Sequence, residues 1–542
     1  MTARLSLHRL LLMALLCCLV TLAMTVRLAG PAQAVSYTSI EGSGSTWSQV
    51  ILQQWIADVS SSGMQITYNG SGSSQGRKDF ANGVTDFGIS EIPYQGVDPV
   101  SGQADSSSRP YAYLPIVAGG TAFTYHVEVG GKLVKTLRLS GETIAKIFTN
   151  KITNWNDAAI TADNNGHALP SLPIHPVVRS DGSGTTAQFT RYLATMYPSI
   201  WGPFNGGKAV LTSQFPRQGA QVAASGSDQV MNTISSAAGN GTIGYVEYSY
   251  PVNAHYPVVK VENKAGYFVE PTQYNVAVAL TKAKINQDKS SKDYLTQILD
   301  GVYSHPDPRA YPLSSYSYMI IPTGASDQRM TTSKRQTLAD FLTYSICAGQ
   351  SKAGPYGYSP LPLNLVQAGF SQINKLKKAD SAVDLTNHDV TKCDNPTFVK
   401  GNLQANHLAD IAPKPASCDK AGAGPCGTET GTNTPSTEGG KGGGGGGASN
   451  TPGGTTPGGT AGGGAGNTPG GVDPVTGLPT DTGGTGTTTG GGDVVANPVE
   501  LSAQRTGDDK VFSGVAVLEL LAIILLPGLY VAIARRRREV SR

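Results

Sequence analysis

Three kinds of functional motif are missing from this 542-residue sequence. It has no Cys-x-x-Cys spacing, and its 8 histidines do not recur at metal-ligand spacing, so zinc binding and thiol redox chemistry are not expected. A Gly-x-x-x-x-Gly-Lys-Ser/Thr loop is also absent, so this chain is not expected to hydrolyse a nucleoside triphosphate itself. The sequence therefore predicts a protein without a metal or a cofactor.

Charge is scarce and unevenly distributed. Charged residues make up 15% of the chain, and the formal net charge is +3. Residues 1–34 contribute +3 and residues 535–542 contribute +4, which leaves −4 for everything between them. A mildly acidic body argues against a nucleic-acid partner.

Glycine is concentrated in one segment. Of the 67 glycines, 29 lie within residues 421–500, where Thr-Pro-Gly-Gly units alternate with poly-Gly. Such a composition cannot bury enough apolar surface to fold, so residues 421–510 are predicted to be a disordered linker. A flexible coil of about 80 residues has a root-mean-square reach of about 50 Å.

Both ends of the chain carry targeting signals. Two arginines precede an apolar run, and the Ala-Gln-Ala motif at residues 32–34 suits signal peptidase, so residues 1–34 are predicted to be a signal peptide. Residues 511–534 are mostly apolar and long enough to form a transmembrane helix. Four arginines follow at once, and the positive-inside rule makes residues 535–542 a cytoplasmic tail. The prediction is a single-pass protein of the cell membrane with an extracellular body.

Four cysteines remain after the predicted signal peptide, and they permit three pairings. They are Cys347, Cys393, Cys418 and Cys426. The short separation of Cys418 from Cys426 favours a small disulfide-closed loop, which would leave Cys347 to pair with Cys393. The sequence alone does not decide among the three pairings.

The body, residues 35–420, alternates short apolar runs with helical patterns, which predicts an α/β architecture with more than one lobe. One type of Ser-Gly-rich loop recurs before a helical pattern: the first loop (residues 42–47), the second loop (69–74) and the third loop (180–186). Glycine lets the backbone approach a ligand, and a helix start offers unpaired N–H groups with partial positive charge. Ser and Thr add hydroxyl groups. If the three loops converge, the expected ligand is an oxyanion.

Several segments carry a family resemblance. The most specific is Val178-Arg-Ser-Asp-Gly-Ser-Gly-Thr-Thr186, and others include Thr85-Asp-Phe-Gly-Ile-Ser-Glu-Ile-Pro93 and Gly241-Thr-Ile-Gly-Tyr-Val-Glu-Tyr248. These segments resemble, in the same order along residues 40–366, the phosphate-binding (PstS-like) proteins of bacterial phosphate ABC transporters. The resemblance implies a two-lobed, Venus-flytrap fold of the type 2 periplasmic binding proteins, with phosphate held in the cleft.

The resemblance also implies the domain boundaries. Residues 35–118 and 251–420 would form the first lobe, the latter including a C-terminal extension, and residues 119–250 would form the second lobe. The chain would cross between lobes near residues 118–121 and return near residues 250–261.

Carried over residue by residue, the resemblance implies eight phosphate-binding residues. They are Thr46, Trp47, Ser73, Glu91, Arg179, Ser183, Gly184 and Thr185. Asp181 matches the aspartate that pairs with the site arginine. The alternatives are that Arg179 is a surface residue and that Asp181 is a simple helix cap.

Glu91 departs from the family, which commonly has Asp at this position. Phosphate keeps a proton near neutral pH whereas sulfate does not, so an acceptor carboxylate can bond phosphate and repel sulfate. Glutamate retains that chemistry but is one methylene longer. Arg77, beside the second loop, is a further departure. Its expected place is the solvated surface, and the alternative is that it adds charge to the rim of the cleft.

The function that the resemblance implies is extracellular capture of phosphate for an ABC importer. The partners would be the membrane-embedded permease subunits and their cytoplasmic ATPase. An anchored phosphate sensor or surface-interaction protein is the alternative, motivated by the long linker and by Glu519 within the apolar stretch. Gly72-Ser-Ser-Gln-Gly76 fits a nucleophile-elbow pattern with Ser74 at its centre, but no motif supplies a base, so the protein is not expected to be an enzyme.

Overall fold

The computed structural model describes residues 37–98, 102–399, 401–402 and 405–426. The predicted signal peptide, nearly all of the predicted linker and the predicted transmembrane helix at 511–534 lie outside these residues. Within them, no helix combines the length and the apolar character that crossing a bilayer would require.

Most strands of the described residues are short, and one is much longer than the rest. In chain order they are β1 (Ile40–Gly44), β2 (Ile66–Asn69), β3 (Phe87–Ser90), β4 (Gly96–Val97), β5 (Ala104–Asp105), β6 (Tyr111–Tyr125), β7 (Glu128–Val129), β8 (Lys132–Leu133), β9 (Arg138–Leu139), β10 (His175–Arg179), β11 (Val222–Ala224), β12 (Thr242–Glu247), β13 (Lys260–Glu262), β14 (Phe268–Val269), β15 (Lys284–Ile285), β16 (Gln297–Ile298) and β17 (Ser314–Pro322).

The helices lie between these strands and after the last of them. They are α1 (Gln49–Ser60), α2 (Ser73–Ala81), α3 (Gly141–Phe148), α4 (Ala158–Asp163), α5 (Gly184–Met196), α6 (Pro198–Phe204), α7 (Gly226–Ser235), α8 (Ser249–Asn253), α9 (Gln273–Leu280), α10 (Asp300–Tyr303), α11 (Thr332–Ile346), α12 (Leu363–Ala379) and α13 (His407–Ile411). Short 3-10 turns occur at Ala348–Lys352, Val390–Lys392 and Ser417–Asp419.

Eight strands form one mixed sheet in the order β11-β10-β12-β6-β17-β3-β1-β2. β1 is parallel to β2 and β3, and β10 is parallel to β11 and β12, with helices connecting the parallel strands. β6 is antiparallel to both of its neighbours. We call β17, β3, β1 and β2 the first half-sheet and β12, β10 and β11 the second half-sheet. The α/β class expected from the sequence is confirmed.

β6 joins the two half-sheets. It has 15 residues, and all but the first are buried, which suits a central strand covered on both faces. Gly120 pairs with Ser314 of β17, and the next residue, Thr121, pairs with Glu247 of β12. The chain therefore passes from one half-sheet to the other between Gly120 and Thr121.

Two glycines permit close packing at this junction. A Cβ atom on Gly119 would lie 2.6 Å from Oε1 of Glu247 and 2.7 Å from the indole ring of Trp47. A Cβ atom on Gly120 would lie 2.5 Å from Cβ of Pro271. Any larger residue would push apart the elements that meet here.

The four tryptophans are fully buried in the core. Three of them donate the indole N–H to a backbone carbonyl: Trp55 to Gly349, Trp155 to Gly241 and Trp201 to Val210. Nε1 of Trp47 has no hydrogen-bond partner among the described residues. Among the four tryptophans, Trp47 alone has an indole N–H without a hydrogen bond to a described residue.

The two disulfides join Cys347 to Cys393 and Cys418 to Cys426. The first holds the end of α11 to the start of the C-terminal segment, which we define as the described residues from Cys393 onward. The segment continues past Arg309, whose guanidinium donates to the carbonyls of Ala409 and Ala412.

The end of the C-terminal segment is fixed to the small β14-β13-β9 sheet. The buried guanidinium of Arg138 donates to the carbonyl oxygens of Cys418 at 3.1 Å and Ala423 at 2.7 Å. Nζ of Lys260 lies 3.0 Å from each carboxylate oxygen of Asp419. Because β13 follows β12 of the second half-sheet and β9 pairs with β13, the segment connects both parts of the body.

We expect Lys260→Met to lower the free energy of unfolding by about 3 kcal/mol, because the carboxylate of Asp419 would remain buried without its cation. Urea denaturation followed by tryptophan fluorescence measures this change. The double variant Lys260→Met with Asp419→Leu is the control, and it should recover most of the loss. A single variant as stable as the parent would contradict the role assigned to this ion pair.

Candidate functional site

The three Ser-Gly-rich loops occur at the carboxyl ends of β1, β2 and β10, where ligands bind in open α/β sheets. They lead into α1, α2 and α5. α2 begins at Ser73 and α5 at Gly184, so these two residues themselves form the first helical turns. Backbone N–H groups there have no partner within the helix.

Arg179 and Asp181 form a buried pair. Nε of Arg179 donates to Oδ1 of Asp181 at 2.6 Å, and Nη2 donates to Oδ2, so the contact is bidentate. Arg179 is 3% exposed, which excludes the surface-arginine alternative. Nη1 remains available to other groups and lies 3.3 Å from Oγ of Ser227.

Asp181 orients Arg179 rather than capping a helix. The N-cap of α5 is Ser183, whose hydroxyl accepts from the amide of Thr186. Burial alone would raise the pKa of Asp181, but the Arg179 guanidinium and the Gly226 amide outweigh it and hold that pKa below its ordinary value. Asp181 is therefore a carboxylate at neutral pH.

Thr46 of the first loop meets the start of α7. Its hydroxyl lies 3.0 Å from Oγ of Ser227 and accepts from the Ser227 amide at 3.2 Å. Its carbonyl accepts from the Tyr250 hydroxyl at 2.5 Å. These bonds join a loop of the first half-sheet to elements of the second.

Ser227 is a site residue that the sequence analysis missed. It contacts both Thr46 and Arg179. The available signal was Ser225-Gly-Ser227, a fourth Ser-Gly loop after a strand and before a helix. That pattern is too short to distinguish from an ordinary helix cap without the fold.

Ser73 brings together the second loop, the third loop and Glu91. Its hydroxyl donates to Oε2 of Glu91 at 2.8 Å and accepts from the amide of Gly184 at 3.0 Å. The three residues are fully buried. The contact crosses from the first half-sheet to the second, so these two parts are closed against each other in this state.

Glu91 is held by hydroxyl groups. Besides Ser73, Ser317 donates to Glu91, to Oε1 at 3.0 Å. Burial raises the pKa of Glu91 above its ordinary value, while hydrogen bonds from Ser45, Ser73 and Ser317 oppose that shift. Glu91 is thus a buried carboxyl with a serine hydroxyl donating to each of its oxygens.

The remaining predicted residues lie in the same buried region. The amide of Trp47 donates to Oγ of Ser45 at 3.0 Å, and its ring packs edge-on against Tyr358. The Thr185 hydroxyl is buried and has no hydrogen-bond partner among the described residues.

Arg77 does not lie on the solvated surface, as the sequence analysis expected. It is 1% exposed, and its Nε lies 2.8 Å from Oδ1 of Asp105. Nη1 donates to Ser90 at 2.8 Å, and Nη2 lies 3.3 Å from Oγ of Ser74. The expectation was wrong because Asp105, 28 residues away in the sequence, supplies the counter-charge that allows burial.

Glu247 is a second buried carboxyl that the sequence analysis did not single out. It is fully buried at the end of β12, and neither carboxylate oxygen has a hydrogen-bond partner within the part of the chain that the structure describes. Burial raises its pKa well above the ordinary value; the Tyr248 amide opposes that shift, and the nearby charge of Glu91 adds to it. Glu247 is therefore a buried carboxyl whose environment favours the neutral form.

The arrangement suits binding better than catalysis. It offers one guanidinium, several hydroxyls and the amides of helix starts as donors, with Glu91 as the acceptor. The hydroxyl of Ser74, at the centre of the nucleophile-elbow pattern, contacts Ser213 at 3.0 Å and Arg77. Neither contact is a general base.

The sequence of this chain is similar to the sequences of known proteins. The family model described as a PBP superfamily domain matches residues 29–348. The phosphate-binding protein PstS of Methanocaldococcus jannaschii is 32% identical over 349 residues, which cover 62% of this chain and 86% of the relative. The phosphate-binding protein PstS 2 of Mycobacterium tuberculosis is 32% identical over 335 residues, which cover 60% of this chain and 83% of the relative.

Among solved structures, the phosphate-binding protein from Stenotrophomonas maltophilia is 19% identical, with a TM-score of 0.45 over 61% of this chain and 92% of that one. The family match covers more than half of the 542 residues, and the relatives are matched over most of their own length. The chain therefore belongs to the PBP superfamily and, within it, to the family of PstS phosphate-binding proteins.

Proposed function

We propose that this protein is an extracellular substrate-binding protein that captures inorganic phosphate for ATP-driven import by a phosphate ABC transporter. It binds the anion between the two half-sheets, in the region where the three Ser-Gly-rich loops meet. Thr46, Trp47, Ser73, Arg179, Ser183, Gly184 and Thr185 supply donors, and Glu91 supplies the acceptor. Binding and release, rather than turnover, are its contribution to transport.

One observation carries the proposal: a buried guanidinium and a buried acceptor carboxyl lie in the same closed region. Arg179 provides charge, while the hydroxyl of Ser73 connects Glu91 to the amide of Gly184. A site of this kind favours a tetrahedral oxyanion that still carries a proton. Phosphate meets that requirement near neutral pH, and sulfate does not.

The two half-sheets correspond to the two lobes in this proposal. β6 and the segment around β13 are the crossovers, and the lobes open about them to admit and release the anion. The hydrogen bond from Gly184 to Ser73 and the contacts of Thr46 with Ser227 and Tyr250 would break on opening. Lobe 1 then comprises residues 35–118 and 251–420, and lobe 2 comprises residues 119–250.

The proposal extends to the rest of the chain. A signal peptide at 1–34 exports the protein, and a helix at 511–534 anchors it in the cell membrane with the body outside. The linker at 421–510 lets the body reach the membrane-embedded permease subunits, whose cytoplasmic ATPase supplies the energy. The protein itself needs no cofactor and no metal, and it has no nucleic-acid partner.

The central experiment is a titration of the secreted body with phosphate and with sulfate, by calorimetry and by tryptophan fluorescence. Phosphate should bind and sulfate should not. Arg179→Ala should weaken phosphate binding at least a hundredfold, because phosphate would lose the charged donor that Asp181 holds in place. Arg179→Lys, which keeps the charge without the fork geometry, should be intermediate. Native affinity in Arg179→Ala would refute the assignment of the site.

Glu91 should make sulfate binding depend on pH. Its pKa is raised, so as pH falls through that pKa the carboxyl gains a proton and donates to sulfate instead of repelling it. Sulfate affinity should therefore increase toward acidic pH. Glu91→Gln should bind sulfate at every pH of the series, and continued rejection of sulfate would show that Glu91 is not the acceptor.

Gly184 should tolerate no side chain. A Cβ atom there would lie 1.7 Å from Oε2 of Glu91 and 2.5 Å from Oγ of Ser73. We expect Gly184→Ala to weaken phosphate binding by at least about tenfold, because the loops could no longer close. Gly202→Ala is the matched control, since the nearest atoms to its Cβ lie 3.5 Å away, and its affinity should be unchanged.

A further inference from the structure

One hydroxyl group at the candidate site belongs to none of the Ser-Gly-rich loops. Ser317 lies in β17, is fully buried, and donates to Oε1 of Glu91 at 3.0 Å. Its oxygen also lies 3.0 Å from Oγ of Ser48, the residue before α1. Ser317 therefore links β17, the strand beside β6, to the N-cap of α1 and to the acceptor carboxyl.

The pairing of β17 with β6 is irregular beside Ser317. Ser317 pairs with Val117 of β6, but the next residue, Tyr318, pairs with Pro115, so Ile116 is left opposite no residue. Pro115 has no N–H to give to a regular ladder, which explains an irregularity at this point. A bulge bends the pair of strands and changes the direction of the side chains beside it.

The pairing of β17 with its other neighbour, β3, places Ser317 next to Glu91. Tyr318 pairs with Ser90, the last residue of β3, and Glu91 follows Ser90 directly. The residues before Tyr318 therefore run alongside the chain where it leaves β3. The hydrogen bond from Ser317 to Glu91 is the result.

The length of Glu91 makes this bond consequential. Glutamate has one more rotatable bond than aspartate, so its carboxylate needs more restraint to keep one orientation. Here Ser73 holds Oε2 at 2.8 Å and Ser317 holds Oε1 at 3.0 Å. Because each oxygen accepts a hydrogen bond, the carboxylate keeps one orientation in the closed region.

We propose that Ser317 is a positioning residue that holds Glu91 as an ionised hydrogen-bond acceptor and thereby sets the discrimination between protonated and unprotonated tetrahedral oxyanions. The proposal rests on the proposed phosphate-binding function. A hydroxyl that donates to a carboxylate favours its ionised form. Without Ser317, Glu91 would more often carry a proton, and a protonated carboxyl can donate to sulfate.

Other titratable groups face Glu91 and remain in place when Ser317 is changed. Tyr68 from β2, Tyr318 from β17 and Glu247 from β12 each interact with its charge. Burial raises the pKa of Tyr68 and Tyr318 well above the ordinary value, so these two phenols stay neutral near pH 7. The Ser317 hydroxyl differs from all three because it stabilises the ionised carboxylate.

The test compares phosphate and sulfate binding over a pH series in Ser317→Ala and in a matched control. Ser315→Ala is the control, because Ser315 is a buried serine of the same strand whose hydroxyl has no partner among the described residues. Ser317→Ala should still bind phosphate, but its preference for phosphate over sulfate should fall by about tenfold. Its sulfate binding should set in at a higher pH than in the parent. Ser315→Ala should match the parent in both respects.

The Glu91→Asp background distinguishes a positioning role of Ser317 from a general structural effect of its replacement. In Glu91→Asp the shorter side chain cannot reach both hydroxyls, so adding Ser317→Ala should leave the discrimination almost unchanged. The proposal is overturned if Ser317→Ala keeps the parental preference and pH profile, or if it weakens both anions equally. An equal effect of Ser317→Ala in the parent and in the Glu91→Asp background would overturn it as well. A parent protein that binds neither anion refutes the proposed function instead, and this proposal with it.

Discussion

The arrangement of this molecule depends on one strand that is hydrogen-bonded into both halves of the sheet. β6 pairs with β17 up to Gly120 and with β12 from Thr121 onward. A strand that is buried along almost its whole length cannot be displaced without exposing both cores, so it fixes the distance between the two halves. The loops at the carboxyl ends of the flanking parallel strands then have to face one another. Glycine at 119 and 120 allows Trp47, Glu247 and Pro271 to approach this junction closely.

The candidate site offers donors to an anion although the body as a whole carries a net negative charge. Arg179 and Asp181 largely cancel each other's charge, so the pair contributes direction more than net positive potential. Hydroxyls and helix-start amides supply the remaining donors, and they carry no formal charge. Under the proposed function, selectivity depends on whether the ligand and Glu91 carry protons. The proposal therefore gives the hydrogen bonds around this carboxyl more weight than the number of basic residues.

The C-terminal segment adds a second connection between parts of the body. It is joined to α11 by Cys347 and Cys393 and to the β9 region by Arg138. Lys260 and Asp419 form a buried ion pair at the same end. The segment is therefore attached at both places and forms a second connection between these parts, in addition to β6.

The sequence by itself determined the fold class and most of the candidate site, because both depend on local patterns. Ser-Gly loops before helical patterns, and the segment from Val178 to Thr186, can be recognised within a few residues of chain. The tertiary structure decided what depends on distant partners. Arg77 is buried because Asp105 approaches it, and Ser227 joins the site because α7 begins beside Thr46. Ser317, 226 residues further along the chain than Glu91, reaches that carboxyl because Tyr318 of β17 pairs with Ser90 at the end of β3. No local pattern encodes such contacts, since they arise only when strands far apart in sequence become neighbours in one sheet.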